Sequence, residues 1–413
     1  MKKLALLSLL LCLALLCACG GNTVTAADAS LSDVCTELLT ATGEENAVTL
    51  NRDYISIYYG LDESMYEEAA AFMVPRNILQ SEVVLVKAGD SAGLEEIQAA
   101  LNLRLDSLRE QARDYDTESA ALLEHTEVFS KAPYCAVFFH PMQKELQAAF
   151  EAHLKEYAEG EAPVFTPAPT AEPAPESTTK PTEAPAEEPE REPKEKLPYG
   201  LVPGSERVDD SWFDDAIIIG NSVAKNLENY VVSQRLGSDP ACMGKAVFFT
   251  AGRYCWKNAA INAYARPTYN GQYYTPVDIV KEVNAHKIIL ALSQIDLIFQ
   301  GRSVEETLDY AVDVLTALKE ECDEPEIYVC GMSPRASLFE GQPVNNAFIR
   351  DYNEKLLACC EENQVYYLDC YTPLADKDGC LAEAYRLETS DGGIHLTPEG
   401  CRVWMEYLYT HTA

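Results

Sequence analysis

Between Glu161 and Pro198 the chain is built from Pro, Ala, Thr and Glu and carries almost no large apolar side chain, so no core can form there. Such a stretch is expected to be an extended, charged spacer, reaching about 100 Å if it is fully polyproline-like at ~3.1 Å per residue. It divides the 413 residues into two folding units, one from about residue 27 to 160 and one from 199 to 413, each long enough to bury a core.

In the first unit, Glu82–Lys87 and Tyr134–Phe139 read as strands and Leu94–Arg113 as an amphipathic helix, which predicts a small α+β domain. No catalytic constellation stands out, and His125 and His140 read as structural or exposed. A Val-rich strand, a long charged helix, the pair Tyr115-Asp116 and a second apolar strand, in that order, resemble an uncharacterised module of Gram-positive lipoproteins, a likeness that implies no activity.

From Tyr199 onward short apolar runs alternate with helical patterns. Strands are expected at Ala216–Ile219, Lys245–Thr250, Lys287–Leu292, Glu326–Gly331 and Gln364–Asp369. The clearest helix runs from Val304 to Cys322, opened by a capping box of Ser303 and Glu306. Strands that alternate with helices imply a five-stranded parallel sheet covered on both faces, because every parallel crossover needs a connecting element.

In open parallel sheets ligands collect beyond the carboxyl ends of the strands. Ser222 follows the first strand, Gly252 the second, Ser293 and Gln294 the third, Ser333 and Arg335 the fourth, and His395 lies in the loop after the fifth. Ser222 ends the string Ile217-Ile218-Ile219-Gly220-Asn221-Ser222, and His395 sits in Asp391-Gly392-Gly393-Ile394-His395-Leu396-Thr397-Pro398. A serine and an imidazole on one edge can supply a nucleophile and its base. The Ser222 amide, at a helix start, is placed to donate to developing negative charge. Arg335 suits a substrate carboxylate or phosphate, or a surface ion pair. Tyr254, Trp256, Tyr264, Tyr269, Tyr273 and Tyr274 suit either sugar stacking or core packing.

These strings resemble the SGNH/GDSL hydrolases over roughly Asp214 to Leu408. Gly220-Asn221-Ser222 resembles the family's Gly-Asp-Ser block with Asn221 in place of Asp, and Ile394-His395-Leu396-Thr397-Pro398-Glu399-Gly400 resembles its last block. The likeness implies a flavodoxin-like three-layer sandwich, serine esterase or acyl-hydrolase activity without a cofactor, Ser222 as nucleophile, His395 as base and Gly252 as an oxyanion donor. It also implies an acid before the histidine; Asp391 precedes it by four positions where the family usually has three. Where the family has Gly-x-Asn-Asp, this chain has Ser293-Gln294-Ile295-Asp296, and Ile295 has no hydrogen bond to give an oxyanion. Loss of one such donor costs about 3–4 kcal/mol of transition-state stabilisation, and Gln294 or Ser293 is the available substitute.

Lys2-Lys3, an apolar run from Leu4 to Leu16 and Leu16-Cys17-Ala18-Cys19-Gly20 look like a lipoprotein signal spanning residues 1–19, with Cys19 the lipidated residue. A membrane-anchored, extracytoplasmic protein is expected. The net charge of -34 argues against nucleic acid as a partner. Cysteines lie mostly in apolar runs without metal-binding spacing, and histidines are few, so buried thiols rather than a metal site are expected. Together these features predict a surface lipoprotein acting on acyl esters, including O-acetyl groups of envelope polysaccharide. The alternative is a catalytically inactive module of the same fold that binds a glycan or peptide; a scaffold whose first domain recruits a protein is a third reading.

Overall fold

The computed structural model describes residues 23–76, 79–113, 116–158, 160–165, 197–263, 266–387 and 392–413. The signal segment with Cys19, most of the spacer, Tyr115, Tyr264 and Asp391 lie outside the described residues.

The first domain contains strands β1 (Thr23–Ala27), β2 (Val48–Leu50), β3 (Tyr66–Val74), β4 (Ser81–Ala88), β5 (Phe129–Lys131), β6 (Tyr134–Phe139) and β7 (Leu154–Ala158). Its helices are α1 (Leu31–Thr42), α2 (Arg52–Tyr59), α3 (Ser91–Ala112), α4 (Thr117–Leu123) and α5 (Gln143–His153). Five strands form an antiparallel sheet in the order β2-β3-β4-β6-β5, while β1 and β7 pair separately. Alternation along β4 sorts its side chains: Val84 and Val86 pack with Ile97, Leu101 and Leu105 of α3, whereas Val83 and Leu85 pack with Val34 and Leu38 of α1 and Phe150 of α5. Helices therefore cover both faces of this sheet. Asp90 caps α3 by accepting from Gly93 N–H.

The second domain holds β8 (Gly200–Leu201), β9 (Ala216–Gly220), β10 (Val247–Thr250), β13 (Lys287–Ala291), β14 (Glu326–Cys330) and β15 (Tyr366–Leu368), with a small hairpin of β11 (Thr268–Tyr269) and β12 (Gln272–Tyr273). Its helices are α6 (Ser222–Leu236), α7 (Trp256–Ala260), α8 (Pro276–Glu282), α9 (Val304–Glu321), α10 (Asn346–Glu362) and α11 (Pro398–Tyr409). The main sheet is parallel throughout, in the order β10-β9-β13-β14-β15-β8. Its first five members follow the flavodoxin-like order 2-1-3-4-5. The sheet has one strand more than expected: the two-residue β8 joins the far edge and is too short to leave a periodic signal.

Both faces are apolar. Ile217, Ile219, Ile288 and Leu290 pack on one side, and Ile218, Ile289 and Tyr328 on the other. The near-continuous apolar runs are what a doubly covered parallel strand requires. Half of the expected capping box appears: Ser303 accepts from Glu306 N–H at the start of α9, while the Glu306 carboxylate accepts from Arg302 Nη1 at 2.9 Å.

Gly220 sets the turn from β9 into α6. A Cβ there would lie 2.4 Å from Ala224 Cβ and 2.9 Å from Ala291 O. Gly220→Ala is expected to destabilise the second domain by about 1–3 kcal/mol, as overpacking does, read as a lower urea midpoint at unchanged slope.

Candidate active site

The carboxyl ends of β9, β13 and β14 and the segment before α11 are linked by side-chain hydrogen bonds. Asn221 caps α6, its Oδ1 accepting from Val223 N–H at 2.9 Å, which places Ser222 in the first turn of the helix. The Asn221 Nδ2 donates to Gln294 Oε1 at 2.8 Å, and Gln294 Nε2 donates to Ser333 Oγ at 3.2 Å. The ends of β9, β13 and β14 are thus joined by one buried carboxamide chain.

His395 approaches from the opposite end of the domain's sequence. The Leu396 N–H donates to Asn226 Oδ1 at 3.1 Å. Asn226 lies one turn beyond Ser222, on the same side of α6, so the backbone bearing His395 is tied beside the helix face that begins with Ser222. The Leu387 N–H closes on His395 O at 3.1 Å, and Thr397 caps α11 through Gly400 N–H. Ser222 and His395 are both 0 % exposed.

The preceding glycines bend this segment: Gly392 and Gly393 have φ of 96° and 66°. Their carbonyls accept from Arg335 Nε at 2.8 Å and from Ala336 N–H at 2.8 Å. Arg335 also donates to Val344 O and stacks its guanidinium 4.3 Å over Phe339. Burial pulls its pKa down to about 10, opposed by Glu340, so it remains charged at neutral pH. Arg335 is only 4 % exposed. It is neither a surface ion pair nor open to substrate; it latches the histidine loop. Arg335→Ala leaves two carbonyls without their donor and should cost about 2–4 kcal/mol, accompanied by faster hydrogen exchange confined first to residues 392–397.

Two other expectations shift. Ser293 turns its hydroxyl inward, where it accepts from Trp256 Nε1 at 3.1 Å and from the Tyr352 hydroxyl at 3.0 Å. Its side chain serves the core, because a buried indole N–H and phenol both need an acceptor. Tyr254 and Trp256 are likewise core residues, and Tyr269, Tyr273 and Tyr274 are half-buried, so Tyr254 and Trp256 offer no platform for a sugar. Asp296, one position after Ile295, is fully buried and accepts from Trp256 N–H at 2.9 Å and from Arg302 Nε at 3.2 Å. Burial raises its pKa, against the pull of these donors and of Cys255.

Gly252 lies just past β10, beside β9, with Ala251 N–H bonded to Gly220 O at 3.1 Å. Its own N–H donates to Gln111 Oε1 of α3, in the first domain, at 3.0 Å. Sequence reasoning missed Gln111, Asn226, Lys225 and Glu228. Lys225 and Glu228 pair at 2.7 Å on the buried side of α6. Burial lowers the Lys225 pKa and Glu228 opposes the shift. Their only sequence signal is a charged pair at helical spacing, which normally marks an exposed face.

Among the described residues the cysteines are unpaired, and all but Cys322 are buried. Also among them, no group of three His, Cys, Asp or Glu could hold a metal ion, and no helix is long and apolar enough to cross a membrane.

Fold and site together define a doubly wound α/β domain with a serine-led helix and a histidine loop tied at one sheet edge, joined to an α+β domain. Residues 42–140 match the model of a domain of unknown function, DUF4358. No curated protein matches the chain. The second half is similar to solved structures. One, described as a candidate platelet activating factor from Streptococcus pneumonia, is 18% identical with a TM-score of 0.37 and covers 48% of this chain and 88% of that one. A GDSL-like lipase from Bacteroides thetaiotaomicron is 11% identical with a TM-score of 0.37, covering 47% and 86%. An acetyl xylan esterase is 12% identical with a TM-score of 0.35, covering 47% and 98%. Likeness at this level says nothing of activity or substrate.

Proposed function

We propose that the second domain is a serine hydrolase of SGNH type that cleaves or transfers small acyl groups held in ester linkage. The observation that carries this reading is the Asn226 bond to Leu396 N–H, which ties the histidine loop to the helix that starts with Ser222. In the proposed reaction the Ser222 hydroxyl attacks the ester carbonyl while His395 takes its proton. The tetrahedral oxyanion collapses, the C–O bond to the alcohol breaks, and His395 returns the proton to the departing alcohol. Water, or an acceptor hydroxyl, then releases the acyl group by the same steps in reverse order. The Ser222 amide at the start of α6 and the Gly252 amide are the proposed oxyanion donors. Asp391 is the proposed acid behind His395.

The signal-like residues 1–19 and the spacer composition support a lipid-anchored protein on the outer face of a bacterial membrane, with an O-acetylated envelope polysaccharide as its substrate. The test is hydrolysis of p-nitrophenyl acetate by the purified chain. Equal rates for wild type and Ser222→Ala would remove Ser222 as nucleophile. Full burial of Ser222 and His395, together with Ile295 in the family's asparagine position, favours the second reading of a retired binding module. Glycan binding that survives Ser222→Ala, without ester hydrolysis, would select it.

A further inference from the structure

The first domain rests on the two elements that form the oxyanion side of the candidate site. From α3, Gln111 is nearly buried; its Nε2 donates to Ser107 Oγ at 3.1 Å and its Oε1 accepts from Gly252 N–H at 3.0 Å. The next contact along the chain is the Arg253 guanidinium on Arg113 O. From α2, the Tyr58 hydroxyl donates to Glu228 Oε1 at 2.8 Å, the same oxygen that holds Lys225 Nζ, and the Lys225 ammonium lies 4.8 Å over the Tyr58 ring. The Thr250 hydroxyl takes the other oxygen of Glu228. Asn270 N–H of the β11–β12 hairpin donates to Ile57 O at 3.1 Å, and Arg235 of α6 reaches the Tyr54 hydroxyl.

The Gln111 contact has a specific chemical meaning. A carboxamide oxygen and an ester carbonyl oxygen are both sp² acceptors, and the backbone donor that binds one binds the other. Gln111 therefore holds the bond that an acyl carbonyl would need at Gly252. Its neighbours on α6, Lys225 and Glu228, lie one and two turns beyond Ser222, so the domain is anchored on the nucleophile helix as well as on the glycine. Removing a good acceptor from a buried N–H is unfavourable unless another replaces it. The contact is thus self-limiting: it persists until a competing carbonyl or a domain movement displaces it.

We propose that the first domain is a built-in pseudosubstrate cap, in which Gln111 occupies the Gly252 amide and must leave before an ester can bind. This inference rests on the hydrolase reading above, and it gives residues 42–140 a task. The domain does not recognise substrate; it competes with it.

The test uses the full chain as wild type, Gln111→Ala, and Gln111→Ala with Tyr58→Phe. Two readouts are taken: hydrogen exchange of the peptide spanning Thr250 to Tyr254, and the second-order rate at which a fluorophosphonate probe labels Ser222. Loss of one net hydrogen bond is worth about fivefold and loss of both latches about 25-fold. Exchange and labelling should therefore rise together, further in the double variant. Faster exchange with unchanged or slower labelling would overturn the cap, the slower case meaning that the domain completes the site. Unchanged exchange overturns it too. Absence of Ser222 labelling in every variant, even where exchange has risen, would instead defeat the hydrolase reading on which the cap depends.

Discussion

Ser222→Ala and His395→Ala should each lower kcat for p-nitrophenyl acetate at least about 1,000-fold, and the double variant should be little worse than either. The reason lies in how a serine hydroxyl reacts. Unassisted, it holds its proton far above neutral pH; it becomes a nucleophile only while an imidazole accepts that proton. Removing either partner therefore removes the same step, and the losses do not add. Steady-state rates for the three variants, compared on the Gln111→Ala background as well as in the wild-type chain, check this directly. Additive losses would mean that the two residues act in separate events. Occupation of the Gly252 N–H by Gln111 predicts a second feature: the wild-type chain turns over slowly, and the two substitutions have their largest measurable effect once Gln111 is removed.

The largest effect on stability is expected at the centre of the first domain. Glu82 is fully buried and takes two donors from Arg104, at 3.0 Å each, while the Tyr59 hydroxyl approaches the same carboxylate at 3.4 Å. The guanidinium in turn lies 5.7 Å from the Tyr58 ring and 6.0 Å from the Tyr59 ring. Glu82→Leu leaves a buried guanidinium without its counter-charge and should cost about 3–5 kcal/mol. Pairing it with Arg104→Met removes the orphaned charge, and most of the loss should return, because desolvation of such a pair largely cancels its attraction. Urea denaturation of the two single variants and the double gives the coupling energy. Since Arg104 also supports Tyr58, which holds Glu228 of the second domain, the single variant should weaken the inter-domain contact before the first domain unfolds. A double variant no more stable than Glu82→Leu would show that the pair is needed for packing rather than for charge balance.

Much of this architecture could be read from the chain. The isoleucines at 217, 218 and 219 announce a strand buried on both faces, and Ser303 with Glu306 marks the start of α9 within a residue. β1, β2, β3, β5 and β7 of the first domain were not expected, whereas the ends of the seven strands that were expected were legible to within one or two positions, because side chains that must be apolar stop where the strand leaves the core. The two-residue β8 was not, since an edge strand that short has no period. At the candidate site, the placement of Ser222, Gly252 and Gln294 at one edge follows from strand order, whereas the His395 loop is brought there by the Leu396 bond to Asn226.

What could not be read is direction and long-range contact. Ser293 belongs to the core because Trp256 and Tyr352 need its oxygen, and neither is near it in sequence. Arg335 is a latch because the carbonyls of Gly392 and Val344 converge on it. The bond from Gly252 to Gln111 joins residues 141 positions apart across two domains, and nothing local in either segment points to the other. Periodicity records which face a side chain takes; it is silent on which distant group will meet it there.

The proposed chemistry is that of a hydroxyl activated by an imidazole at the rim of the second domain's sheet. Its most direct measurement is peptide-level mass spectrometry after exposure of the full chain to a fluorophosphonate probe, with Gln111→Ala and His395→Ala alongside. One phosphonate on Ser222, faster in Gln111→Ala and lost in His395→Ala, is the predicted result. A phosphonate on another residue, or labelling of Ser222 that His395→Ala leaves undiminished, would contradict it.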